Sequence, residues 1–359
     1  MTAVVPSIHV YLKKNNVSLN NGMSGKIAVI GAFDTEETNP VLVTNLDEAY
    51  DTLGEDKTFN GVDVLPYLFV GAESLLCVNT TEWSGSGEQK TADKTIDVNK
   101  LTNALTKIKG EDFDILFVAE TLNDNFLPII TGFLDDCFEM KMPSGFTGAL
   151  TGVSADANIT SAGLAGEHCY GLITQSFKLN DEQLTLLETI AYYTGLIAGM
   201  NVGNTMTMKT VKNVTGITPE LNFEVNKITE LPIGDGAKLV NAGITTFRCL
   251  NRHDNNYVCV NSEQPNGFDL YINRVRDYVV KTFALHKFLG ERNRESTLTE
   301  IEHELSTVKE RCVNDLDLLK DINYTVIKES ASCVGITIDS LVFDGIITKI
   351  NMYVRVEVE

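Results

Sequence analysis

At 359 residues, with 43% hydrophobic and 8% aromatic content, the chain has ordinary globular composition and the length for two or so domains with sizeable cores. A disordered protein is excluded. A formal net charge of -20 argues against a general nucleic-acid binder, whose footprint is basic, and against adsorption to anionic membrane.

The start, MTAVVPSIHVYL, lacks the charged region and continuous apolar run of a secretory signal, and no stretch approaches the roughly 18 apolar residues of a spanning helix. The reading is a soluble protein made and kept in cytoplasm. Cys77, Cys137, Cys169, Cys249, Cys259, Cys312 and Cys333 are odd in number, scattered and mostly set among apolar residues. They are predicted to be reduced, buried small hydrophobes.

In chain order, Ile8, Val10 and Leu12 share one side of a short strand after Pro6, and the polar run KKNNVSLNNGMSG follows as a tether. KIAVIGAF reads as a buried strand, and NLDEAYDTLG as a helix stopped by Gly54. VDVLPYLFVGAESLLCVN gives a helix, a glycine turn at Gly71 and a strand through Leu75 to Val78. Beyond a polar, Gly/Ser-rich loop, DVNKLTNALTKI is a helix, DFDILFVAE a buried strand and FLPIITGFLDDCFEMK another helix. The strand CYGLITQSF precedes a long helix expected from about Asp181, with Asn180 as N-cap and Gln183 as its capping-box partner.

Alternating strands and helices of this kind predict an α/β domain over residues 21–243. Near Gly243 the texture changes. AKLVNAGIT gives a short helix and turn, TTFRCLN and YVCVNS pair around RHDNN, and two long helices follow. The second is expected to start at a Thr297-x-x-Glu300 capping box and carries Leu298, Ile301, Leu305, Val308, Cys312 and Leu316 as one apolar stripe. With the strand-rich segments after it, this reads as an α+β unit over 244–345. The whole is an α/β N-terminal domain plus an α+β C-terminal domain, with extended β-strand arms at both termini, 1–20 (arm and linker) and 346–359.

No residue combination points to catalysis, a cofactor or a metal. Gly85-Ser86-Gly87 lies in a polar loop without the Lys-Ser or Lys-Thr pair and helix start of a phosphate loop. The five histidines have no ligand spacing, and in GEHCY the alternation of a strand would send Glu167, His168 and Cys169 to opposite faces. Charge is more informative. Arg274, Arg276, Lys281, Lys287, Arg292 and Arg294 concentrate on and just after one helix of an acidic chain. Either they solvate that helix and offset its dipole, or they form a basic strip facing an acidic partner.

The C-terminal ITKINMYVRVEVE puts Ile350, Met352, Val354, Val356 and Val358 on one face of an extended strand. Burying five such side chains yields roughly 7 to 15 kcal/mol, and ordering about ten residues costs roughly 10 to 20. Such a strand holds only within a larger sheet, in its own domain or a neighbour's. With strands at both ends, exchange in both directions generates an open polymer.

The combination resembles the contractile tail sheath proteins of bacteriophages, R-type bacteriocins and related contractile injection systems. It is carried by the N-terminal strand, KIAVIGAF with NLDEAYDTLG and LPYLFVGAESLLCVN, then AKLVNAGIT, YVCVNS, YINRVRDYVVKTF, the long second helix and the terminal strand. These cover half to two thirds of the chain. The resemblance implies a non-enzymatic virion or injection-particle subunit, assembled in host cytoplasm, without cofactor, nucleic-acid contact or membrane insertion. Its implied partners are other copies of itself, an inner tail tube protein, and baseplate and tail terminator proteins. It implies that residues 7–12 and 348–358 complete a small sheet in adjacent subunits and that the basic helix faces the tube. Two readings stay open beside it: another strand-exchanging virion or assembly protein, and an unrecognised α/β enzyme.

Overall fold

The computed structural model describes residues 10–12, 25–85, 90–140, 142–226, 228–251, 253, 256–283 and 285–345. Ile8 and the terminal strand 346–359 lie outside them.

The largest sheet has six strands in the order β3 (Val41–Val43), β4 (Ser74–Asn79), β2 (Lys26–Gly31), β7 (Ile115–Val118), β8 (Gly145–Ala149) and β9 (Cys169–Ile173). All neighbours run parallel except β3 on β4. Both faces are covered, as a parallel sheet requires. On one face Ile27, Val29, Ile115 and Phe117 pack with helices α1 (Leu46–Leu53), α2 (Asn60–Leu68) and α6 (Leu186–Ala198). On the other, Ala28, Ile30, Leu116 and Val118 meet α3 (Val98–Ile108) and α4 (Phe126–Glu139), with Ala162 of α5 (Ala155–Ala162) and Leu239 of α7 (Asp235–Asn241). The alternation along β2 therefore sorts its side chains between two cores.

Small antiparallel sheets decorate this unit: β5 (Glu82–Ser84) with β6 (Thr91–Asp93), β10 (Ser176–Leu179) between β11 (Glu182–Gln183) and β12 (Val214–Thr218), and β13 (Thr246–Asn251) with β14 (Asn256–Asn261). A third core lies in the C-terminal part. There α8 (Leu270–Thr282) and α9 (Glu295–Glu310) pack on a sheet ordered β1 (Val10–Leu12), β16 (Val334–Val342), β15 (Asp321–Lys328).

Several sequence expectations need correction. The helix placed from Asp181 begins at Leu186, and its capping box is Thr185 with Glu188. Asn180 and Asp181 both take positive φ (46° and 71°) in the two-residue turn between β10 and β11, the left-handed geometry such a hairpin favours. The α9 N-cap is Arg294. Thr297 sits inside the helix, its hydroxyl donating to the Arg292 carbonyl at 2.8 Å. Phe247, Cys259 and Leu270 pack with the first sheet face and Ile244 with the second, while the third core gathers Val275 and later residues together with Val202. Five cysteines are buried, and burial pushes the Cys169 and Cys312 thiols up to about 12, but Cys333 is exposed.

Candidate assembly interface

The six cations of the expected basic strip do not form one surface. Arg274 is 1% exposed. Its guanidinium donates to the carbonyls of Met200 (2.9 Å) and Asn201 (3.4 Å), just past the C-terminus of α6, where the helix dipole favours a cation. Arg276 donates from Nε to Asp277 Oδ1 (2.8 Å) and from its Nη atoms to the Glu167 carbonyl (3.2 Å) and His168 Nδ1 (3.1 Å). Lys281 Nζ lies 2.9 Å from Asp112 Oδ1, 2.7 Å from the Phe113 carbonyl and 2.9 Å from Asp114 Oδ1, so its three N–H donors meet three acceptors.

Residues 112–114 and 167–168 immediately precede β7 and β9. The cations of α8 thus clamp the helix across the amino ends of two sheet strands and onto the end of α6. The expectation that Arg274, Arg276 and Lys281 face a partner is corrected on this ground: α8 lies between two cores, with Tyr271, Asn273, Arg274, Val275, Asp277, Tyr278, Val279 and Val280 all buried, and these three cations point inward, Arg274 to backbone carbonyls and Arg276 and Lys281 to acidic groups as well. Tyr170 completes the clamp by donating to Asp277 Oδ2 at 2.8 Å. Burial, then the Asp277 carboxylate, holds that phenol's pKa well above its ordinary value.

The other half of the strip stays on the surface. Lys287, Arg292 and Arg294 are exposed, and Lys287 pairs with Glu304 at 2.6 Å. With Phe288, Glu291, Thr299, Glu300 and His303, that pair lines an open groove of about 580 Å³ between α9 and the turn before it.

The sheet built by β15 and β16 carries the arm geometry. Ile322, Ile336, Ile338 and Leu341 point into the third core, and β15 and β16 pair along the whole of β15. On the other edge of β16, β1 runs parallel in the register Val10↔Ile336, Tyr11↔Thr337, Leu12↔Ile338. The N-terminal strand expected to reach a neighbour therefore lies on a strand of its own chain. Of the residues assigned to arms, Val10 and Leu12 are in this strand; Ile8, Ile350, Met352, Val354, Val356 and Val358 are outside the described residues.

Open parallel sheets receive ligands beyond their carboxyl ends. Here the carboxyl ends of β2 and β4 are tied together: Asn79 Oδ1 accepts from Phe33 N (3.0 Å) and Thr81 N (2.9 Å), and Asn79 Nδ2 and Trp83 Nε1 both donate to the Thr35 carbonyl. Gly31 faces Gly61 so closely that a Cβ on Gly31 would lie 2.9 Å from the Gly61 Cα. Among the described residues, no three His, Cys, Asp or Glu side chains gather as a metal site and no helix is long and apolar enough to cross a membrane. His168 instead bridges Asp135 (Nε2 to Oδ1, 3.2 Å) and Arg276.

The sequence matches no protein-family model and no curated protein. The fold is matched by solved structures. The sheath tail protein of Desulfitobacterium hafniense is 12% identical with a TM-score of 0.64, over 88% of this chain and 92% of that one. A sheath tail protein of Listeria innocua is 10% identical with a TM-score of 0.59, over 89% and 96%. A chain of the anti-feeding prophage helical sheath in its contracted state is 12% identical with a TM-score of 0.64, over 99% and 100%; one from that particle's baseplate gives 11% and 0.67 over the same shares. The fold is the one these solved sheath tail proteins share. The family resemblance in the sequence and this likeness of fold point the same way.

Proposed function

We propose that this chain is the structural, non-enzymatic subunit of a contractile tail sheath, polymerising as a helical mesh around an inner tube and shortening to drive that tube through a target envelope. The observation that carries the reading is coverage: a subunit of a helical sheath shares its fold over 99% of this chain and 100% of its own. Partners in this reading are further copies, an inner tube protein and baseplate components, in a phage-like tail or injection particle assembled in the host cytoplasm. The units 21–243 and 244–345 act as outer and core domains, and residues 7–12 and 346–359 act as exchanging arms. Tube contact is assigned to the exposed cations Lys287, Arg292 and Arg294, since Arg274, Arg276 and Lys281 are consumed inside the subunit.

The test is to concentrate the purified chain, alone and with its tube protein, and image it by negative-stain electron microscopy beside a version ending at residue 345. Hollow tubes or stacked rings of wide lumen from the full chain, and discrete folded particles from the shortened one, are expected. Discrete particles from the full chain under both conditions overturn the reading.

A further inference from the structure

The pairing of β1 with β16 within one chain bears on how assembly is held back. The outer edge of β16 is a row of backbone donors and acceptors beside the buried Ile336 and Ile338, and such an edge accepts any extended strand of suitable sequence. In the free chain it is taken by residues 10–12 of the same molecule.

We propose that this contact is a self-closing latch: the free subunit masks the β16 edge with its own residues 10–12, and assembly proceeds when the same segment of a second copy displaces them. The exchange half rests on the sheath reading above; the closure half does not. Among the described residues β1 pairs with β16 at three positions where β15 on the other side pairs at eight, so the latch is the weaker of the two described pairings and can be removed without disturbing the β15–β16 hairpin. Its advantage over a competing strand is connection. Residues 13–24 join it to the folded body, and a short tether holds a segment at an effective concentration on the order of millimolar. In dilute solution the molecule's own strand wins. At the end of a growing polymer an incoming chain is held just as close, and the competition becomes even. The latch thus predicts a lag and a threshold concentration, with fast growth once ends exist.

Replacing Tyr11→p-benzoylphenylalanine allows photo-crosslinking to residues 334–342. Light and heavy-isotope chains are mixed, irradiated once as dispersed molecules and once after assembly, and read by mass spectrometry. The expected result is crosslinks only within one isotope before assembly and about equal mixed and unmixed crosslinks after it. No crosslink to 334–342 in dispersed chains overturns the latch, whether or not the protein assembles. Crosslinks that stay unmixed in polymers overturn the exchange while leaving the sheath reading intact, and no polymer at any concentration, alone or with the tube protein, overturns the exchange together with that reading. As a second measurement, doubling the segment 13–24 with Gly and Ser dilutes the tethered strand about threefold and lowers the threshold concentration by a similar factor; an unchanged threshold counts against the latch.

Discussion

The Arg274 guanidinium is almost wholly removed from water yet bonded only to carbonyl oxygens. Charge-assisted hydrogen bonds are worth roughly 1.5–3 kcal/mol each when their loss leaves partners unsatisfied. Arg274→Ala should therefore lower unfolding stability by about 3–5 kcal/mol in a denaturant titration, the cavity adding to the lost bonds. Arg274→Lys should recover only part of it, since an ammonium cannot fork between the Met200 and Asn201 carbonyls. Lys281 behaves differently with pH. Burial alone would lower its pKa, but the Asp114 and Asp112 carboxylates outweigh burial and the net shift is upward from 10.5. A group with a raised folded pKa contributes stability that is complete below its unfolded value and lost as pH climbs through the folded one. The native protein should lose stability above about pH 10.5, and Lys281→Met should be destabilised at neutral pH by about 3–5 kcal/mol through loss of one side of a buried ion pair, with a shallower alkaline decline. An alkaline slope identical in the two proteins would show that Lys281 is not the titrating group.

At the scale of elements, α2 and α6 approach as closely as backbones allow. A Cβ on Gly195 would sit 2.5 Å from the Tyr67 carbonyl oxygen, and one on Gly71 would sit 2.3 Å from the Gly195 carbonyl oxygen. Gly195 lies inside α6, where alanine would otherwise favour the helix by about 1 kcal/mol. Gly195→Ala should therefore destabilise despite its propensity, by about 2 kcal/mol or more, as measured by thermal melting; a stabilised protein would mean the two helices can separate freely. Elements with strong local signals were legible in the sequence. The run KIAVIGAF became β2, Gly54 ended α1 at φ 91°, and, of the stripe, Ile301, Leu305 and Val308 became the buried face of α9, with Cys312 buried in the turn just after it. The α6 start differs from the sequence expectation because NDEQLTLLE contains two successive capping patterns, Asn180 to Gln183 and Thr185 to Glu188, and the earlier one is taken by a hairpin turn that local pattern cannot distinguish. The basic strip was misread for a longer-range reason. Spacing shows that Arg274, Arg276 and Lys281 cluster, but whether a cation meets solvent depends on Asp112, Asp114, Glu167 and Asp277; the first three lie over a hundred residues away. The acidic pair flanking Phe113 was the available signal, and it carries weight only once the pairing is known.

For the whole molecule, a net charge of -20 makes copies of the chain repel one another, in the proposed assembly as in solution, and this repulsion is screened over about 10 Å at 0.1 M salt. Assembly of the chain alone should therefore strengthen with salt, its threshold concentration falling between 20 and 500 mM NaCl in light-scattering titrations, as an order-of-magnitude range chosen to span that screening length. Assembly on an acidic tube should respond in the opposite sense if Lys287, Arg292 and Arg294 make the contact. Reversing all three to Glu should leave the melting temperature within a few degrees, because the side chains are exposed and surface changes cost little, and should weaken co-sedimentation with tubes at low salt. Unchanged co-sedimentation would move the contact to another face.

The clamp on α8 has a mechanical consequence. The helix is anchored along its length to the ends of β7, β9 and α6 and also supplies Val275, Tyr278, Val279 and Phe283 to the C-terminal core. A torque applied to the β15–β16 sheet would be carried by α8, which contributes Leu270 to one core and Val275, Tyr278 and Val279 to the other. It passes through α8 into the six-stranded sheet. Separating the C-terminal core from the six-stranded sheet would therefore require breaking the Arg276 and Lys281 contacts together.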